Sequence, residues 1–137
     1  MGIYQGVCSS FKQELLEGDH DLTADTLKVA LYGSSASLSQ NTTAYTATGE
    51  VDESGYAAGG ATVTATISRS NGVVTVVFSS PSWTAEIEAE GALIYNASSG
   101  NKAIAVISFG GARESVSGTF TVSMPSATSD YPILRLK

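Results

Sequence analysis

Residues 61–79 read ATVTATISRSNGVVTVVFS. Val63, Ala65 and Ile67 alternate there with Thr62, Thr64, Thr66 and Ser68. A side-chain period of two belongs to an extended strand, because successive Cβ atoms point to opposite faces. Asn71-Gly72 interrupts the alternation with two residues that tolerate positive φ, so it predicts a type I′ turn. Val74, Val76 and Phe78 carry the return strand. An isolated hairpin is marginal in water and needs further strands to cover its apolar face. This one segment therefore commits the chain to an antiparallel β-fold.

The rest of the chain supplies those strands. In TLKVALY (26–32), Leu27, Val29 and Leu31 share a face. In 83–96, Trp83, Ala85, Ile87 and Ala89 oppose Thr84, Glu86, Glu88 and Glu90, which predicts a half-buried strand with an acidic outer side. Gly91 is expected to bend it into ALIYN. SSGN (98–101) is a turn, and KAIAVISFGG (102–111) is apolar enough for a central strand. SGTFTVSMP (117–125) and YPILRLK (131–137) follow, the latter with Pro132 at a strand start or edge. Residues 34–50 are a Ser/Thr/Asn-rich loop with a short strand expected near Tyr45. The one good helix covers 9–18: Ser10 is the expected N-cap, Gln13 completes a capping box, and Gly18 stops it. These readings give an all-β fold, a single antiparallel β-sandwich with the jelly roll among its topologies, and one short N-terminal helix. Residues 1–137 form one domain, with arm and helix in 1–25 and strands in 26–137.

Composition narrows the function. The chain has 137 residues and net charge −6, and only 15% of it is charged. Its seven basic residues are scattered, so neither nucleic acid nor an anionic membrane is an expected partner. No apolar run reaches the ~18 residues of a membrane-spanning helix. MGIYQGVCSSFKQ carries neither the basic nor the apolar region of a signal peptide. The reading is a soluble chain made in the cytoplasm.

Candidate chemistry is sparse. A zinc site needs about four ligands, and His20 is the only histidine and Cys8 the only cysteine. His20 reads as part of a polar turn and Cys8 as a packing residue. A Cys–His or Ser–His–Asp catalyst would have to use His20, and no G-x-S-x-G elbow occurs. Glu86, Glu88 and Glu90 lie about 6.6–6.8 Å apart along a strand, within the spacing of an inverting glycosidase. Acids side by side on one strand cannot flank a substrate, so they read as a solvated face. GEVDESGYAAGG (49–60) resembles half of a calcium loop, but the acid at position twelve is missing. It has no lysine for a phosphate cradle, and strand pattern follows it. It reads as a backbone device in which glycines allow a tight turn and Tyr56 is an anchor. Amides at Glu50, Asp52 and Glu53 are then expected to cost little. No catalytic residue, metal ligand or cofactor is assigned.

DTLKVALYGSSASL, YTATGEVDESGYAAGG, PSWTAEIEAEGALIYN, and KAIAVISFGG followed by SGTFTVSMP occur in that order. Together, from Phe11 to Leu136, they resemble small virion structural proteins of tailed bacteriophages. The most specific pieces are Gly55, Tyr56, Ala58, Gly59 and Gly60, and the GALIYN of 91–96. At 108–110 this chain has SFG where that family pattern carries DFG. The resemblance implies a non-enzymatic particle component, foremost a capsid cement or decoration protein. It would sit on the capsid surface of the virion, bind the major capsid protein, and act as a homo-oligomer, dimer or trimer. Contact is then expected from the N-terminal arm (Ile3, Tyr4), the 34–48 loop (Tyr45) and the glycine loop (Tyr56, Gly59, Gly60). Neck, tail and fibre proteins are the alternative within that class. A carbohydrate-binding β-sandwich using tyrosines and Trp83 is the alternative outside it.

Overall fold

The computed structural model describes residues 2–125 and 133–136. The elements in chain order are β1 (Gly6–Val7), α1 (Ser9–Glu17), β2 (Leu27–Tyr32), β3 (Ala61–Val63), β4 (Ala65–Ser70) and β5 (Val73–Phe78). They continue with β6 (Ser82–Trp83), β7 (Glu88–Asn96), β8 (Lys102–Glu114), β9 (Phe120–Thr121) and β10 (Leu134–Leu136). The fold is all-β with one short helix, and every pairing of these strands is antiparallel. A five-stranded sheet runs β1-β8-β7-β2-β3, a three-stranded sheet runs β10-β5-β4, and β6 pairs with β9. A jelly roll would put eight strands into two sheets; the described strands instead form three sheets around one connected core.

The β4–β5 hairpin matches its sequence signal. Ser70 pairs with Val73, and Asn71 and Gly72 have φ of 54° and 78°, the double positive φ of a type I′ turn. The alternating run before it is divided, however. Ala61–Val63 joins the five-stranded sheet beside β2, whereas Ala65–Ser70 joins the three-stranded sheet. Thr64 is the switch point: its N–H donates to Ser79 Oγ (2.9 Å) and its carbonyl accepts Ser79 N–H (2.8 Å).

The five-stranded sheet holds most of the core. Leu27, Val29, Leu31, Leu93, Ile94, Ile104 and Val106 are all essentially inaccessible to solvent. In the middle of β7 and β8, residues 91–96 and 103–106 are buried without alternation, which is why ALIYN and AIAV read as continuous apolar runs. Gly91 sits at a register shift in the β7–β8 ladder. A Cβ there would come within 2.6 Å of the Ile107 carbonyl and 2.7 Å of the Ile3 side chain, so the absence of a side chain at Gly91 lets the N-terminal arm lie close.

Four sequence expectations need correction. The helix begins at Ser9 with Cys8 at its N-cap, and no side chain caps it. Cys8 N–H already donates to Ile104 O (2.9 Å), so β8 fixes where the helix starts. Ser10 Oγ is buried without a partner, and Gln13 bonds Glu17 instead of closing a capping box. Gly18 does end the helix, in the left-handed conformation at φ 83°. The expected strand 83–96 is two pieces, because Ser82–Trp83 pairs with β9 while Glu88–Asn96 pairs with β2 and β8. Between them Ser115 bonds Ile87 through both its backbone N–H and its hydroxyl, outside the regular ladder. Near Tyr45 there is only an isolated bridge, Ala44 with Lys102. In 117–125 only Phe120–Thr121 is strand. Tyr131 and Pro132 lie outside the described residues.

Gly60 and Gly72 both have positive φ but sit in opposite surroundings. A Cβ at Gly60 would fall 1.8 Å from the Val29 carbonyl oxygen, whereas nothing lies within 4 Å of one at Gly72. Gly60→Ala is expected to destabilise by at least about 3 kcal/mol, because backbone atoms cannot give way. Gly72→Ala should cost about 1–2 kcal/mol, the conformational penalty alone. Denaturant unfolding of the two variants checks this order.

Candidate functional site

The chain's polar chemistry gathers in two places, and both face inward. The first is built by the 49–60 loop. β3 covers β2 only as far as Val29. Beyond it, Val51 N–H donates to Leu31 O, and the Tyr56 hydroxyl accepts Leu31 N–H, both at 2.9 Å. A side-chain oxygen thus stands in for a missing strand. Tyr56 is held in that place by Glu50. Glu50 Oε2 accepts the Tyr56 hydroxyl (2.5 Å) and Gly59 N–H (2.8 Å), and Oε1 accepts the Tyr45 hydroxyl (2.6 Å). Gly59 O in turn accepts the Tyr95 hydroxyl (2.6 Å), and the rings of Tyr45 and Tyr95 stack at 4.8 Å. Trp83 closes the far side, 5.8 Å from Tyr56.

Electrostatics in this cage are one-sided. Burial raises the Tyr56 hydroxyl far above its ordinary range, and its bond to the Glu50 carboxylate adds to the shift. Burial and the Glu50 charge likewise raise Tyr32 and Tyr95. Tyr45 is raised from 10.0 to about 12, by desolvation first and by Glu50 second. All four hydroxyls therefore stay protonated, as donors, through neutral pH. Three donors are directed at one carboxylate, so little of its acceptor capacity is left for a cation.

The second cluster joins helix, turn and sheet. The His20 side chain is fully buried. Its Nε2 lies 3.0 Å from Glu14 Oε1, and its Nδ1 lies 3.0 Å from Asn96 Nδ2. Asn96 Nδ2 also donates to Asp25 Oδ2 (2.8 Å), while Asn96 Oδ1 accepts Ser98 N–H (3.0 Å). Those two outer partners fix the amide's orientation, so it presents N–H to His20. Nδ1 must then be the acceptor and Nε2–H the donor, the neutral tautomer. The Asn96 amide, with Asp21 N–H, holds the Asp25 carboxyl below its ordinary range. Phe11 packs on the imidazole at 4.8 Å. The expected polar turn at His20 is thus a buried joint, stabilised by partners that lie far away in sequence.

Neither cluster offers a nucleophile. Burial, with help from Glu14, pushes the Cys8 thiol up to about 11, and both His20 ring nitrogens are engaged elsewhere. Glu86 and Glu88 are exposed and Glu90 is half-buried, and Glu86 lies outside any strand. Among the described residues no group of three or more His, Cys, Asp or Glu is placed to hold a metal ion. Among them, too, no helix is long and apolar enough to cross a membrane.

The residues expected to form a contact surface occupy different depths. Tyr4 is 67% exposed. Ile3 is half-buried, in register with Leu38 and against Gly91. Tyr45 is half-buried against Tyr95, Gly60 lies over the Val29 backbone, and Tyr56 and Gly59 are buried. Trp83, Tyr32 and Tyr95 are buried as well. Ser108 accepts Gly110 N–H through Oγ (3.3 Å). No protein-family model, curated protein or solved structure matches this chain.

Glu50 is the residue that sequence reasoning passed over. Asp52 is exposed, and Glu53 contributes one bond, accepting Glu88 N–H at 3.2 Å. The three acids are therefore not equivalent. Glu50→Gln turns one acceptor oxygen into a donor facing donors, and is expected to cost about 1–3 kcal/mol. Asp52→Asn should stay within about 0.5 kcal/mol. Urea unfolding of both variants tests this.

Alkali gives a second test. A tyrosine whose folded pKa lies above its unfolded one adds stability that is complete below the unfolded value and lost as pH rises through the folded one. Stability should therefore be unaffected by the cage below pH 10.0 and fall progressively toward about 12, where Tyr45 ionises. Tyrosinate absorbance and circular dichroism, followed together, should show buried tyrosines ionising with unfolding rather than before it.

Proposed function

We propose that this chain is a non-enzymatic structural component of a tailed-phage particle. In this reading it is a cement or decoration protein that binds the outside of the capsid and bridges major capsid subunits. The observation that carries the reading is where the reactive groups go. Glu50, His20, Asn96, Cys8 and four of the tyrosines are spent on holding the fold together. What is left for partners is backbone edges and a polar surface with scattered, mainly acidic charge, a surface suited to burial rather than chemistry. The sequence resemblance from Phe11 to Leu136 supplies the particle.

Charge fits the same role. A net charge of −6 disfavours packaged nucleic acid and suits a basic patch on a partner, which would steer docking. Many copies, each burying a standard ~1,600 Å² of contact, would reinforce a shell substantially. The carbohydrate-binding alternative needs a platform of exposed rings. Trp83 and most of the tyrosines are committed to the core, and Tyr4 is the one strongly exposed aromatic among the described residues.

Quantitative mass spectrometry of purified particles tests the proposal. The cement role predicts copy numbers near those of the major capsid subunit, with labelling over the whole shell. A few copies confined to one vertex or to the tail would favour the neck, tail or fibre alternative. Absence from particles would overturn the reading.

A further inference from the structure

The sheets end in edges of very different character. β1 and β9 are two residues long and β3 is three. The distal part of β8 is broken by Gly110 and Gly111, at φ 76° and 140°. Short edges and irregular glycine backbone are the usual protections against strand pairing. β4 has neither. It is six residues long, ATISRS, with no proline, no lysine and no acid. Thr66 through Ser70 are exposed, so the strand can be reached from its open side. Among the described residues only β5 pairs with it. The chain leaves the described region at Pro125 and returns at Ile133, next to β10, which lies on the other side of β5.

The phase of that open edge follows from the turn. In a two-residue hairpin the flanking pair, Ser70 and Val73, exchanges both backbone bonds. Ser68 and Thr66 therefore also bond inward, and Ala65, Ile67 and Arg69 turn their N–H and C=O groups outward. These are the groups a new strand would meet.

We infer that β4 is a homodimer edge, pairing antiparallel with β4 of a second copy about a two-fold axis through Ile67. The occupant is fixed by self-complementarity. With Ile67 opposite Ile67 of the second copy, Ala65 faces Arg69 at each end and Thr66 faces Ser68. No like charges are opposed, and every outward N–H meets an outward C=O. The side chains agree. Ile67 is cross-strand from Val76, which is cross-strand from Leu134. Val76 and Leu134 are each 8% exposed while Ile67 is 46% exposed. Pairing continues this apolar row across the axis and covers its one open member. The result is a six-stranded sheet running β10-β5-β4 and then β4-β5-β10 of the second copy. This inference does not rest on the particle role and stands or falls separately from it.

Sedimentation velocity on the full chain tests it. The chain should sediment as a dimer. Ile67→Lys sets two like charges opposite each other, and Ile67→Pro removes an outward N–H without breaking a bond inside the chain. Both variants should be monomers, with the circular dichroism of the parent. A cross-link keeps the test independent of those variants' folding. Paired residues of this kind are about 5.5 Å apart at Cα, within reach of a disulfide. Ile67→Cys should oxidise to a covalent dimer, whereas Ser70→Cys, whose two copies lie at opposite ends of the ladder, should not. Buried Cys8 supplies a silent background. A monomeric parent at the highest soluble concentration would overturn the inference. So would a dimer that survives both Ile67 variants, or Ser70→Cys cross-linking as readily as Ile67→Cys.

Discussion

The carboxylate of Glu50 is the interaction on which the rest of this architecture depends. β2 is a central strand, yet its strand partner on one side ends at Val29. The rest of that edge is completed by the 49–60 loop, through an isolated bridge between Tyr32 and Glu50, backbone bonds from 49–51 and the Tyr56 hydroxyl. A loop can do this only if it is rigid, and rigidity comes from one acceptor gathering donors from Tyr45, Tyr56 and Gly59. Charge-assisted bonds of this kind are stronger than neutral ones. The glycines around them are the steric counterpart. Gly60 allows the chain to cross over the Val29 carbonyl, and Gly55 lets it pass Ala85, where a Cβ would come within 2.6 Å.

The His20 cluster solves a related problem at the other end of β2. Helix α1 is short, uncapped by any side chain, and carries no basic residue in its last turn. It cannot be stable alone. Phe11 docks it into the core, and the Glu14–His20–Asn96–Asp25 chain ties helix, turn and strand β7 together. Buried polar networks of this type are costly when incomplete and specify one arrangement when every member is satisfied. Both clusters therefore position backbone. Neither leaves a reactive group directed at a cleft.

Much of this was legible in the sequence where the physics is local. Alternation and Asn71-Gly72 were enough for the β4–β5 hairpin, because its partners are neighbours. Gly18 as a helix stop was legible for the same reason. The failures share a cause as well. Ser10 and Gln13 carry a valid capping signature, but the N-cap falls on Cys8, whose N–H bonds Ile104 O, and no side chain caps the helix. Glu50 looked like one of three interchangeable loop acids, since nothing local shows that Tyr45, Tyr56 and Gly59 converge on it. His20 looked like a turn residue because Asn96 is 76 positions away. Thr64, one member of an unbroken alternation, gave no sign that the strand would change sheets there.

The order of strands in the larger sheet governs how the molecule is made. Gly6 pairs with Val106, and Leu27 with Asn96, so the sheet's first strands wait for its last. The β4–β5 and β7–β8 hairpins join neighbouring segments and can form early. β3 and the 49–51 backbone can meet one edge of β2 early, but β1 and the other edge of β2 have no strand partner until residues 88–114 exist. Sheets dominated by such distant pairings fold slowly, on the millisecond-to-second scale. During synthesis the five-stranded sheet can therefore close only after its β7 and β8 strands, late in the chain, have been translated.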